Sequence, residues 1–379
     1  MRTKLLLLTL TVFVSSLFAC GPKAISTLDK ATAEQPKVQP AEDIGEQQWN
    51  SILRQARKEG KVVVYSTTGG DARVALMRDF KAKFGLDLEW VSARAGEIQT
   101  RVISEAKNDL NLVDIVQAGT TTYYSLKPYD YPSPADKMLL LPEVTDVKQW
   151  YKGKLPWGNE AHELISPLTW IQPIVAINTD LVKDSEMTSL NNVLDPKWRG
   201  KISINDPTTL GVGSSTMGMV AQHIMSWDYI KALAKQEPVI LRETRVQAEW
   251  LAMGKNSIAL AARSDNIKEF QDARAPVKYI MTKEGSYISH GGSPFFVMKK
   301  AAHPNASIVF VNWFLTKEPQ TNYGRFRTFE SKRLDVPNDH LPAVTLRDPK
   351  VEYPTNESEE FLVKVEPEAI KKFREILLQ

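Results

Sequence analysis

From residue 62 onward the chain alternates between two periodicities, and this narrows its fold more than any other feature. A β-branched run, "VVVYS" (62–66), ends in the turn-prone "TTGGD", and apolar residues then recur at helical spacing at Val74, Met77, Phe80 and Phe84. "LDLEWVS" reads as a strand, "EIQTRVISEAK" as a helix, and "LVDIVQA" as a second buried strand ahead of "GTTTYYSLK". Strand, helix, strand, helix with short polar connections predicts a parallel, doubly wound α/β sheet. Near-continuous apolar runs such as "VVVY" suit strands covered on both faces.

A second α/β block opens near "TWIQPIVAINTDLV", with a strand at "GKISIND", a helix after "PTTLGVGSSTMG" and a last strand at "SIALAAR" (257–263). Strand composition returns in "KYIMTKEGSYISHGGSPFFVMKK", followed by a helix in "NASIVFVNWFLTK". The chain has 379 residues, too many for one ordinary core. That length suits one large α/β domain or two lobes, and the order of elements fits two lobes, with the chain crossing near 168–176 and returning near 278–292. Lobe one would comprise residues 46–170 plus 285–379, and lobe two residues 171–284.

Charge excludes one class of partner. Of 48 basic residues, Arg2 and Lys4 lie at the extreme N-terminus, leaving 46 against 45 acidic ones. A near-neutral body lacks the clustered basic face that nucleic-acid phosphates demand. With hydrophobic residues at 42% and charged residues at 25%, the profile is that of a soluble globular protein.

The opening segment is of another kind. "MRTK" is a charged start, and the apolar stretch after it, "LLLLTLTVFVSSLF", is too short to span a bilayer but right for a signal peptide. It ends in "LFACG", which resembles the lipobox of bacterial lipoproteins. That resemblance implies removal of residues 1–19 and lipidation of Cys20, the sole cysteine, anchoring the protein to a membrane outside the cytoplasm. Residues 20–45, rich in Pro, Ala, Gln and charge, are too poor in apolar groups to offset their ordering entropy and are expected to form a flexible tether. Trp49, Ile52, Leu53 and Ala56 then fall at helical spacing, and Gly60 ends that helix.

Taken in order, "GKVVVYSTTGGD", "AGEIQTRVISEAKNDLNLVDIVQAG", "VAINTDLV", "LDPKWRGKISINDP" and "GGSPFFVMKKAAHPNASIVFVNWFLTKEPQ" resemble the extracellular solute-binding proteins of ABC transporters, the group that includes the ferric-ion-binding proteins. The resemblance implies a two-lobed α/β fold of the periplasmic-binding-protein type, two doubly wound lobes joined by a hinge. It would close on a small solute in the cleft and deliver it to an ABC permease in the cytoplasmic membrane, without a cofactor and without catalysis. A lipoprotein sensor serving a kinase is the alternative partner, and a ferric-ion or metal-complex binder the alternative cargo.

In open α/β sheets ligands sit beyond the carboxyl ends of the strands, where helix N-termini favour anions. The candidate loops are "STTGG" (66–70), "AGT" (118–120), "DPTTLG" (206–211) and "ARSD" (262–265). They supply Ser66, Thr67, Thr68, Gly69, Gly119, Thr120, Thr208, Thr209, Arg263, Ser264 and Asp265 as ligand-binding candidates. The same hydroxyls and carboxylates are equally suited to capping the helices that follow. Arg263 is placed to fork onto a carboxylate, phosphonate or phosphate, or to pair with Asp265. Arg94 is a second candidate cation, and Trp170 has the choice of stacking on a ligand ring or packing in the hinge.

Against the iron-binding pattern, the histidine position falls on or near Gly69, the glutamate near Gly119, and the tandem tyrosines on or near Ser264 and Asp265. Hard Fe(III) needs several anionic oxygen donors, so no metal site is expected. Tyr123 and Tyr124 follow a different strand, and consecutive helical positions diverge by about 100°; one is expected in the core and one on the cleft wall. No Walker loop, G-x-S-x-G, H-E-x-x-H or dinucleotide fingerprint occurs, which argues against an enzyme. His162, His223, His290, His303 and His340 are scattered, and His303 at a helix start reads as structural.

Overall fold

The structure, a computed structural model, describes residues 41–378 apart from 210, 211, 221–223, 292, 349, 356 and 357. The expected signal peptide, Cys20 and most of the expected tether lie outside the described residues. Helix α1 (Ala41–Glu59) begins inside the segment read as tether, because "AEDIGEQQ" is made largely of good helix formers and leads straight into the apolar face of Trp49, Ile52 and Leu53.

The first half follows the alternation: β1 (Lys61–Ser66), α2 (Gly70–Phe84), β2 (Asp87–Ser92), α3 (Ala95–Lys107), β3 (Ile115–Gln117), α4 (Thr120–Leu126), β4 (Pro132–Ser133) and the short α5 (Pro142–Thr145). Strand β1 runs parallel to β2, with Val64 opposite Trp90, and parallel to β3, with Val64 opposite Ile115. Its residues serve both faces in turn, as a pleated strand requires. Val62 and Val64 join one core with Phe80, Trp90, Phe310 and Phe314, while Val63 and Tyr65 join another with Ile98, Val102, Tyr123 and Phe296.

Strand β5 (Leu168–Gln172) leads through Pro173 and Ile174 into β6 (Val175–Asn178) and the second half. There follow β7 (Ile202–Asn205), α6 (Val212–Met219), α7 (Trp227–Ala234), β8 (Val239–Leu241), α8 (Thr244–Ala252), β9 (Ile258–Leu260), α9 (Ser264–Asp272) and β10 (Val277–Ile280). Among the described residues the strand order of this sheet is β10-β6-β9-β7-β8, with β7 parallel to both neighbours and β6 antiparallel to both. Alternation recurs: Val175 and Ile177 face one core with Ile202, Ile204 and Trp198, whereas Ala176 faces another with Leu251, Val277 and Tyr279.

The chain returns through β11 (Tyr287–Ser289) to β12 (Phe295–Met298), α10 (Pro304–Phe314), α11 (Lys317–Arg327), β13 (Glu330–Ser331) and α12 (Glu366–Leu377). Strand β12 closes the first sheet in the order β2-β1-β3-β12-β4 and runs antiparallel to β3, so the fully parallel order expected from the alternation holds only for β2-β1-β3. The outgoing strand β5 pairs antiparallel with the returning β11, Ile171 opposite Ile288, so the two connections between the sheets lie side by side. Strand β13 flanks β5 on its other edge.

Helix α12 departs from the division expected for 285–379. Its apolar face seats Ala369 and Phe373 among Met217, Val220, Tyr229 and Ile230 of the second half, and Phe373 lies against Trp227 at 5.0 Å between ring centroids. Burial of an amphipathic face, whichever half offers the uncovered surface, decides where a terminal helix docks.

Candidate functional site

Strands β1 and β3 end side by side, with Ser66 opposite Gln117. The Ser66 hydroxyl donates to the Gln117 side-chain oxygen, and the Thr68 amide donates to Ser66 Oγ at 2.9 Å. Thr68, 2% exposed, turns its hydroxyl toward α11, where Tyr323 OH lies at 2.7 Å and Arg327 Nη1 donates at 3.1 Å. Gln117 Nε2 donates to the same Tyr323 hydroxyl at 2.7 Å. The Thr68 carbonyl accepts from Trp90 Nε1 and Ser92 Oγ at 2.8 and 2.7 Å. Thr67 is half-buried beside this network, and its amide donates to the Gln117 carbonyl at 3.1 Å.

In three of these loops the expected alternative role, helix capping, is not what the hydroxyls do. The cap positions of α2, α4 and α9 are Gly69, Gly119 and Arg263, and none of the three caps through its side chain. Thr120 and Ser264 are instead the first helical residues, both buried. A β-carbon on Gly119 would stand 3.4 Å from the Gly291 carbonyl. Gly291 itself has φ +54°, and a β-carbon there would meet the Phe329 ring at 2.5 Å, so any other residue would be both strained and obstructed. This close approach packs the turn against Trp170, which stacks on Phe329 at 5.5 Å with 20° between the planes. Trp170 thus has an aromatic partner within the protein, while its buried indole Nε1 has no hydrogen-bond partner among the described residues.

From the second half, β9 delivers Arg263. Its Nε donates to Asp265 Oδ1 at 2.9 Å and its Nη2 to Oδ2, closing a two-pronged pair in which each side chain is about a quarter exposed (28% and 24%). Of the two roles open to Arg263, the structure displays pairing with Asp265. Burial alone would raise the Asp265 carboxyl; the positive charges of Arg263 and Arg327 outweigh it and hold the group below the ordinary aspartate range. Ser264 Oγ meets Thr328 Oγ1 at 2.9 Å, joining the start of α9 to the end of α11.

Arg327 is the functional candidate that the sequence did not single out. The residue is 8% exposed, its guanidinium lies 5.2 Å from the Phe329 centroid, and among the described residues its Nε has no hydrogen-bond partner. Among the described residues no carboxylate lies within ion-pair distance of it. A buried cation without a paired anion is costly, and that cost is relieved by a partner of opposite charge. In the sequence it is one of two arginines in "GRFR" at a polar helix end, where basic side chains are commonplace.

The remaining candidates sit elsewhere. Asp206 accepts from the Thr208 amide at 2.9 Å, from its hydroxyl at 2.7 Å and from Arg242 Nε at 3.0 Å, so this loop closes on itself, and Thr209 is exposed. Among the described residues, none of its hydrogen bonds reaches the Thr68 network. Arg94 is exposed and pairs with Glu243 at 3.3 Å. Tyr123 is in the core, its hydroxyl donating to Glu163 at 2.5 Å and accepting from Asn159 at 2.6 Å; burial and Glu163 raise its pKa, which opposes the phenolate a ferric ion would need. Tyr124 packs beside it and against Tyr287 and Phe361. His303 is structural, its ring 2.8 Å from the fully buried Asp114, which also accepts its amide. Among the described residues no three carboxylate, imidazole or thiolate groups converge as a metal would require.

A sequence profile described as bacterial extracellular solute-binding protein matches residues 75–339. Among curated proteins no relative matches the chain. Among solved structures, the chain is similar to the periplasmic binding protein AfuA from Actinobacillus pleuropneumoniae with fructose-6-phosphate bound, at 16% identity and a TM-score of 0.67 over 84% of this chain and 99% of that one. It is also similar to iron-bound HitA from Pseudomonas aeruginosa, at 15% identity and a TM-score of 0.64 over 83% and 99%. The substrate-binding protein of an ABC transporter from Agrobacterium tumefaciens matches at 17% identity and a TM-score of 0.67 over 84% and 94%.

Proposed function

The chain belongs to the bacterial extracellular solute-binding proteins and has the two-lobed α/β fold of periplasmic binding proteins, and from that premise we propose that it is the substrate-capturing component of an ABC importer for a small organic anion. The solute would lie where the loops after β1, β3 and β9 meet the end of α11. Its negative group would take the Arg327 guanidinium, with Thr68 and Tyr323 bounding the pocket and the Ser264–Thr328 contact closing it. The loaded protein would then dock on a permease in the cytoplasmic membrane. Cys20 would hold it at that surface through a lipid, which a mass measurement on the membrane fraction reads directly.

The observation that carries this reading is Arg327, a buried cation that, among the described residues, has no hydrogen-bond partner for its Nε and no carboxylate within ion-pair distance. Solved relatives in fold include a sugar-phosphate complex and an iron complex. The anion is favoured because the positions that match iron ligands are here Gly69, Gly119, Ser264 and Asp265, and the one carboxylate among them is already held by Arg263. A melting-temperature screen over small organic anions, amines and ferric citrate tests this. A bound anion at a hundred times its dissociation constant should add about 2.7 kcal/mol. Stabilisation by an amine or by ferric ion, with no response to any anion, would overturn the proposal.

A further inference from the structure

Two guanidiniums and one carboxylate meet at this site. Arg263 and Asp265 come from the second half and grip each other in a two-pronged pair. Arg327 comes from α11, bonded to Thr68 and close enough to Asp265 to lower its pKa. Three other arginines are already paired: Arg94 with Glu243, Arg242 with Asp206, and Arg347 with Glu330 at 2.8 Å. Within the constellation itself one positive charge remains.

We propose that Asp265 sets the charge of the solute, so that the Arg263–Asp265–Arg327 arrangement accepts a monoanion and discriminates against a dianion. The inference rests on the anionic reading above and narrows it to ligands such as monocarboxylates, away from phosphate monoesters. One negative charge brings the buried constellation to neutrality and removes the cost of the unpaired guanidinium. Within this constellation a second negative charge finds no free cation, because Arg263 is already occupied, and it faces the Asp265 carboxylate across a partly desolvated site. Like charges in such a site repel strongly, as two carboxylates sharing one site do. Asp265 therefore plays two parts: it neutralises Arg263 and repels a second charge on the solute. Because Asp265 and Arg263 belong to the second half and Arg327 to α11, this discrimination is complete only when the two sides are together, as in the Ser264–Thr328 contact.

Charge counting gives a test that does not depend on knowing the natural solute. Dissociation constants are measured for monocarboxylates of three to six carbons and for phosphate monoesters of the same skeletons, at constant ionic strength and at a pH where the monoesters carry two charges. The proteins are the wild type, Asp265→Asn, and the double variant Arg263→Gln/Asp265→Asn, which restores a surplus of one. Wild type should prefer the monoanions. Asp265→Asn should shift the ratio of constants toward the dianions by about tenfold or more, and the double variant should return it toward wild type. A wild-type preference for dianions, or a ratio unmoved by Asp265→Asn, would overturn the charge rule and leave the anion site standing. No response to either series in any variant would overturn the anion site itself. If Asp265→Asn fails to fold, the double variant, which leaves no cation unpaired on α9, still decides: a preference for dianions in it would sink the rule.

Discussion

The loops after β1 and β7 look alike in sequence, yet they resolve their polar groups in opposite ways. "STTGG" and "DPTTLG" each place threonines and glycine between a buried strand and a helix. In the second, Asp206 satisfies its own loop by accepting from Thr208 twice and adding Arg242, and Thr209 is left in solvent. In the first, Thr68 has no carboxylate within its loop and reaches instead to Tyr323 and Arg327, far away in sequence. A hydroxyl-rich turn with its own acid becomes a closed structural unit. The same turn without one has bonding capacity left for distant partners, and there a site can assemble.

Three substitutions sharpen the contrast, in descending size of effect. Arg327→Met should weaken binding of the solute found by the screen about thirtyfold or more, since truncating one partner of a buried charged pair costs on the order of 2–5 kcal/mol. Calorimetric titration reads this, and the empty protein should melt at the same temperature or higher, because an unpaired buried cation has been removed. Unchanged affinity would take the site away from α11.

Arg263→Ala should act on the empty protein and, because Asp265 is then left to neutralise Arg327, should weaken the anion as well. It strands the Asp265 carboxylate, and a loss of about 1–3 kcal/mol in a denaturant melt is expected. Adding Asp265→Ala should recover most of that loss. If Arg263→Ala leaves stability untouched but abolishes binding, then Arg263 and not Arg327 is the residue that takes the anion.

Thr208→Val should be the smallest of the three. It deletes one hydrogen bond to Asp206 at the edge of solvent, a cost of about 1 kcal/mol, and the affinity for the solute should not change. A tenfold loss of affinity would mean that the two loops act together after all.

The contrast also marks how far the residues could be read in sequence. Strands such as "VVVYS" and the strand–helix order were legible because burial on both faces leaves a local pattern. Arg263 was legible as a strand-end cation, but whether it met Asp265 or a ligand depended on side-chain geometry two residues away. Arg327 left no local signal at all, since its burial comes from the packing of α11 against α2 and against a turn near Thr68. The antiparallel entry of β12 and the docking of α12 were hidden for the same reason: both depend on where the chain returns, which periodicity does not record.

Helix α12 bears on how the molecule comes to be folded. Its Ala369 and Phe373 complete a core whose other buried members, from Ile174 to Ala261, precede it by much of the chain. Domains usually condense in the order in which they are made, and here one core draws its last members from a helix much later in the chain. Closing so long a loop is paid in entropy before the contacts return it, which slows such a step. Until α12 docks, Trp227 and Met217 lack the cover that Phe373 and Ala369 give them, so this core stays exposed through the slow step.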